Sequence, residues 1–180
     1  MPEPESSAMQ NNVPSILVWD YPVRVFHWLL VPAFFVALST GDSDRWRDVH
    51  VFAGYLVLGL LAFRIMWGFI GSRYARFQSF LYRPAQAIRY VVELLGGAGK
   101  RYIGHNPAGS WAIYGLLGLG LLVSLSGWIV LGAEEGHGAF RGLRDTALGE
   151  LIKALHEMAA WGMLLLVGAH VTGVIVEGRI

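Results

Sequence analysis

The stretch Leu155–Val176, LHEMAAWGMLLLVGAHVTGVIV, is long enough to cross a bilayer and carries two histidines. His156 and His170 are fourteen residues apart. At about 100° per helical residue, fourteen steps return to within roughly 40° of the starting direction, over a rise of about 21 Å. One face of one membrane helix therefore presents an imidazole near each end of the hydrocarbon layer. An imidazole at that depth needs a polar partner and by default marks a functional site.

The composition supports spans rather than a soluble core. Of 180 residues, 54% are hydrophobic and only 15% charged. Trp111–Ala133 and Met158–Val176 contain no charged residue at all, and each has transmembrane length. There is room for about four spans and little else. The expected fold is all-α: a four-helix transmembrane bundle forming a single domain over residues 16–180, behind a polar tail over residues 1–15 that is expected to be disordered. The chain has no cysteine, which excludes disulfides, covalently attached c-type haem and cysteine-ligated iron–sulfur clusters. The opening MPEPESSAMQNN lacks the basic-then-apolar pattern of a cleavable signal. The first span is therefore expected to direct insertion.

That span is predicted at about residues 22–41. Pro22 suits a helix first turn, and Pro32 inside the span is tolerated in a membrane helix, where it can kink the axis. His27 lies about one turn inside, flanked by Trp19, Tyr21 and Trp28, an interfacial composition. After the polar turn Asp42–Asp48, a second span is predicted at about 49–70. His50 stands at its start and Arg64 near its end, again fourteen residues apart and so on one face. Gly71–Gly104 is the one long connection. From Pro84 its Ala87, Ile88, Val91, Val92 and Leu95 fall at helical spacing, which predicts a short amphipathic helix lying on the membrane surface. The third span, about 110–131, has no histidine but several glycines, which suit close helix packing, with clearance for a haem as the competing reading. A mixed-charge loop with His137 leads to the fourth span, about 151–176.

Orientation follows from basic residues in the loops. The long connection carries Arg73, Arg76, Arg83, Arg89, Lys100 and Arg101, whereas the other two loops together carry Arg45, Arg47, Arg141 and Arg144. The long connection and both termini are therefore expected on the cytoplasmic side, N-in and C-in, in a bacterial cytoplasmic membrane.

This topology gives each histidine a depth. His27 and His170 lie towards the cytoplasmic side; His50 and His156 lie towards the outer side. A haem b sandwiched between helices takes an axial ligand from each, so two pairs predict two haems stacked across the membrane, His27/His170 inside and His50/His156 outside. The competing reading of any one of these histidines is a hydrogen bond between helices. An arginine in hydrocarbon needs an anion, and Arg64 is expected to face inward and pair with a propionate of the inner haem, against the alternative of snorkelling. Arg24, one turn before His27, is the weaker candidate for the same role, a solvated positive-inside charge being the competing reading. His105 and His137 are expected to be solvated.

The residues that carry a wider likeness are Val18-Trp-Asp-x-Pro-x-Arg-x-Phe-His27-Trp28, His50-x-x-x-Gly54-Tyr55, the run Phe63-Arg64-x-x-Trp67-Gly68-x-x-Gly71-Ser72-Arg73-Tyr74, Gly104-His105-Asn106-Pro107-Ala108-Gly109, and Leu155-His156-Glu157 with His170. Through them the sequence resembles the prokaryotic cytochrome b561 / nickel–iron hydrogenase b-type cytochrome group, four-span dihaem membrane proteins, over essentially the whole chain from about residue 16. The resemblance implies bis-histidine haem b at His27, His50, His156 and His170. It also implies electron exchange with membrane quinone on one side and a redox partner on the other. Members of that group usually carry a basic tail past the last span, whereas this sequence ends at Ile180.

The expected function is transmembrane electron transfer between the quinone pool and a periplasmic redox partner. The rivals are a membrane-anchor cytochrome subunit of a periplasmic dehydrogenase or hydrogenase, a superoxide:quinone oxidoreductase, and a haem-free scaffold. Expected partners are membrane lipid, quinone and a periplasmic electron-transfer protein such as a cytochrome c or a dehydrogenase subunit. A homodimer is allowed, and no nucleic acid is expected. The loop Gly104–Gly109 is the candidate contact for quinone or propionate.

Overall fold

Most of the long helices begin where the sequence supplies a cap. The computed structural model describes residues 18–98, 100–136 and 138–178; the tail over residues 1–15 and His137 lie outside the described residues. Helix α1 (Tyr21–Thr40) starts behind Asp20, whose carboxylate accepts from Val23 N at 2.9 Å, with proline in the first turn. It runs unbroken through Pro32. A 3₁₀ turn at Asp44–Trp46 leads directly into α2 (Arg47–Ile70). The surface helix α3 (Pro84–Leu95) opens on Pro84, and the Gln86 side chain accepts from Arg83 N at 2.8 Å. Asn106 caps α4 (Pro107–Glu134) by accepting from Gly109 N at 2.7 Å. Thr146 caps α5 (Ala147–Glu177) by accepting from Gly149 N at 3.1 Å.

The four long helices α1, α2, α4 and α5 are each long and apolar enough to cross a membrane. They cover residues 22–40, 49–70, 110–131 and 151–176, and α2, α4 and α5 run up to four residues beyond those bounds. Helix α3 matches the predicted amphipathic segment: Tyr90 is buried, while Ile88, Val92 and Leu95 are exposed.

Packing joins two hairpins. Helix α1 lies along α2, α4 lies along α5, and the hairpins meet through α2 and α4. Ala33, Val57 and Leu61 form the buried centre, with Leu30, Leu117 and Leu121 against them. Gly120 allows this approach, because a Cβ there would come within 3.0 Å of a Leu61 methyl. Most large apolar side chains instead point outward, among them Phe52, Phe69, Ile70 and Leu165. Such a surface is stable only against lipid, where helices satisfy their own backbone polar groups.

Candidate cofactor sites at the two ends of the bundle

The α1–α2 turn marks one end of the bundle and α3 the other. At the turn end, the rings of His50 (α2) and His156 (α5) face each other with centroids 6.1 Å apart and planes at 84°. Each is held by the backbone of a neighbouring helix. His50 Nδ1 lies 2.8 Å from Ala37 O on α1, and His156 Nδ1 lies 2.9 Å from Val123 O on α4. A carbonyl only accepts, so Nδ1 is the protonated nitrogen in both and the Nε2 lone pair is left available. Metal-binding histidines are oriented by this kind of bond. Two metal–imidazole bonds of about 2 Å on opposite sides of one ion place the ring centres roughly 6 Å apart. The His50–His156 spacing fits that requirement.

Both rings line a cavity of about 530 Å³ between the hairpins, within the roughly 300–1,000 Å³ of small-molecule and cofactor sites. Glycine makes room here. A Cβ on Gly127 would lie 2.8 Å from His156 Cε1, and one on Gly54, also lining the cavity, would meet nothing within 4 Å. Span-three glycines therefore divide between two roles: Gly120 serves helix packing, and Gly127 makes space for an imidazole.

The α3 end is organised differently. His27 stands edge-on to Trp19 and Trp28, with ring centroids 5.7 and 5.4 Å away. Its Nδ1 is buried with no hydrogen-bond partner among the described residues. His170 lies on α5, and its ring makes no close ring contact with His27 of the kind His50 and His156 make. Arg64, only 3% exposed, lies with its guanidinium 5.1 Å from the centre of the Phe77 ring. Its Nη1 is likewise buried without a partner among the described residues. A buried cation with an unsatisfied donor calls for an anion, and a haem carboxylate fits that need. The residues present at both ends thus suit haem b.

Asp20 does more than cap α1. Its Oδ2 accepts from Trp67 Nε1 at 3.0 Å and from Ser72 Oγ at 2.6 Å. Burial pushes its carboxyl up, but the bonds from Ser72, Trp67 and Val23, with the nearby Arg64 charge, outweigh it and hold the group below its ordinary value. The start of the His27 helix is thereby fixed to α2 one turn beyond Arg64. The chemistry of a buried acid beside a Pro-containing first turn was a readable signal; its tie to Trp67 and Ser72 was not.

One loop expectation changes. His105 is half-buried rather than fully solvated: its ring packs 4.5 Å from Phe80, and its carbonyl accepts from Tyr82 OH at 3.2 Å. Burial, then the Arg64 charge, pushes its imidazole down. The cause is the 3₁₀ turn Phe77–Phe80, which folds back onto the bundle and seats Phe77 against Gly68, where any Cβ would clash. Arg24 is engaged locally. Its Nε donates to Trp19 O at 2.8 Å, and its guanidinium lies 5.6 Å from both the Trp19 and Tyr21 ring centres. In the candidate loop Gly104–Gly109, Asn106 Nδ2 donates to Glu177 Oε2 at 2.6 Å, and Tyr90 OH reaches Glu177 Oε1 at 3.3 Å. This contact ties the end of α5 to α3 and α4. Burial, and then Glu177, pushes the Tyr90 hydroxyl up to about 12.

Comparison with known proteins defines the class and then the family. The chain is a multi-pass b-type cytochrome of the bacterial inner membrane, working in electron transfer with haem b. It belongs to the prokaryotic cytochrome b561 family, whose model matches residues 18–180. A protein named "Probable Ni/Fe-hydrogenase B-type cytochrome subunit" from Rhodobacter capsulatus is 28% identical over 91% of this chain and 75% of its own length. The "Probable Ni/Fe-hydrogenase 1 B-type cytochrome subunit" of Escherichia coli K12 is 27% identical over 91% of this chain and 82% of its own length. A similarly named Cupriavidus necator protein is 24% identical over 94% and 83% respectively. No solved structure matches the chain.

Proposed function

We propose that this cytochrome passes single electrons across the inner membrane between the quinone pool and a periplasmic redox partner, using two bis-histidine haem b sites. His27 and His170 hold the inner haem, and His50 and His156 the outer one. The observation that carries this reading is the His50–His156 pair: 6.1 Å between ring centres, with both Nδ1 atoms committed to backbone carbonyls. Haem supplies reversible one-electron chemistry at iron. The chain's own part would be to supply imidazoles from His27, His50, His156 and His170 that could hold the iron, to exclude water with apolar helices, and to place Arg64 where a carboxylate needs a cation.

A second reading is favoured by the names of the relatives: the chain is the cytochrome subunit through which a periplasmic nickel–iron hydrogenase delivers electrons to quinone. The same two sites serve either reading. Vesicles containing the purified chain, loaded with quinol inside and given a membrane-impermeant oxidant outside, test the shared core. Quinol-dependent reduction of the oxidant should be lost in both His27→Ala and His50→Ala. Undiminished turnover in either variant contradicts a route through two haems in series.

A further inference from the structure

The cavity at the turn end has a charged rim whose cations have no role in the ligation described above. Arg47 stands three residues before His50 on α2, and Lys153 stands three residues before His156 on α5. Residues three apart share a helix face, so each cation lies about one turn outward from an imidazole. Both line the cavity that the two histidines line. They also converge: Arg47 Nη2 donates to Glu134 Oε2 at 3.0 Å, and Lys153 Nζ donates to Glu134 Oε1 at 3.4 Å.

The remaining charged groups lining this cavity are Asp42 and Asp44 from the α1–α2 turn and Glu157 from α5, all acidic. Among the described residues, Arg47 and Lys153 are therefore the two basic side chains on a rim that otherwise repels carboxylates. Their contacts with Glu134 are not rigid fixtures. The side chains are 44% and 51% exposed, and Glu134 is 42% exposed. Ion pairs so open to solvent contribute little and exchange partners readily.

We propose that Arg47 and Lys153 form a carboxylate clamp at the mouth of this cavity, binding the two acidic side groups of the haem that His50 and His156 hold. Glu134 is the counter-charge that keeps the two cations together. The clamp rests on the outer site proposed above. The guanidinium offers a planar fork matched to a carboxylate, and the ammonium a compact charge for the second. Both sit on the helices that carry the ligands, so the same two helices fix the ring's iron and its acidic edge.

Potentiometric optical titration over a range of pH tests this, with His50→Ala first identifying the outer component by its loss. Loss of neither component in His50→Ala overturns the site itself. Cations beside a haem favour its reduced, more negative state. The double variant R47Q/K153Q should shift the outer potential down and leave the inner one in place. It should also steepen the outer potential's pH dependence, because carboxylates without cation partners titrate closer to neutrality. E134Q, which keeps both cations, should shift the same component up. An outer potential whose pH profile is unchanged in R47Q/K153Q overturns the clamp, even if the whole curve is offset, since distant charges alone give an offset. A shift in the inner component instead also overturns it.

Discussion

The two ends of this bundle prepare for the same kind of cofactor by opposite means. At the turn end, hydrogen bonds from His50 and His156 to the Ala37 and Val123 carbonyls set both rings before anything binds, and the surrounding charges are exposed and loosely paired. At the α3 end, His27 is steered by two indole rings and a buried, unpartnered Arg64 supplies the attraction. One site is organised by geometry, the other by a buried cation with an unsatisfied donor. The first should be sensitive to steric change; the second should depend on its anion.

The sharpest way to break this contrast is on α5, which serves both ends. His156→Ala should remove the outer haem and leave the inner one, and His170→Ala should do the reverse, each halving the haem content measured by optical absorbance. If either variant loses the component assigned to the other, the pairing fails.

Arg64→Met comes next. Leaving a haem carboxylate without its buried cation should cost about 3–5 kcal/mol in the loaded protein, the scale for breaking a buried pair. The same change should cost the haem-free chain much less, because there Arg64 loses only its attraction to the Asp20 carboxylate. Thermal unfolding of loaded and haem-free protein checks both. Equal destabilisation of the two would mean that Arg64 is structural.

Gly127→Ala should act on the other end alone. The new Cβ would stand 2.8 Å from His156 Cε1, an overpacking that costs about 1–3 kcal/mol. The expected readout is a changed low-temperature spectrum for the outer component only. An unaltered outer spectrum would show that the ring has freedom the close packing denies.

The smallest effect belongs to Asp20. Asp20→Asn keeps the α1 cap but weakens the bonds to Trp67 and Ser72, whereas Asp20→Ala also loses the cap, worth about 1 kcal/mol. Because the folded carboxyl titrates below its unfolded value of 3.8, its stabilisation is full above that pH and is lost as pH falls through the lower folded value. An acid unfolding profile for Asp20→Ala should therefore be flatter than the wild-type profile below pH 3.8. Coincident profiles contradict this.

Hydrophobic length made the four apolar helices legible in the sequence, and the topology they imply put His50 and His156 at the same end of the bundle. The helix ends were less so: α4 begins at Pro107, three residues before its predicted start, because Asn106 caps it and Pro107 suits a first turn. What stayed hidden was long-range packing. Nothing local to Phe77 signals that its ring fills the notch at Gly68, and with that turn in place His105 packs against Phe80 and is half-buried. The Asp20 tie across α1 and α2 is hidden for the same reason: its partners lie 47 and 52 residues away.

Haem counting tests the central claim most directly. A pyridine haemochrome assay against protein concentration should return two b-type haems per chain for the wild type and one for His50→Ala. One haem or none per wild-type chain, or a wild-type count unchanged by His50→Ala, would contradict a pair of porphyrins held near opposite faces of the membrane.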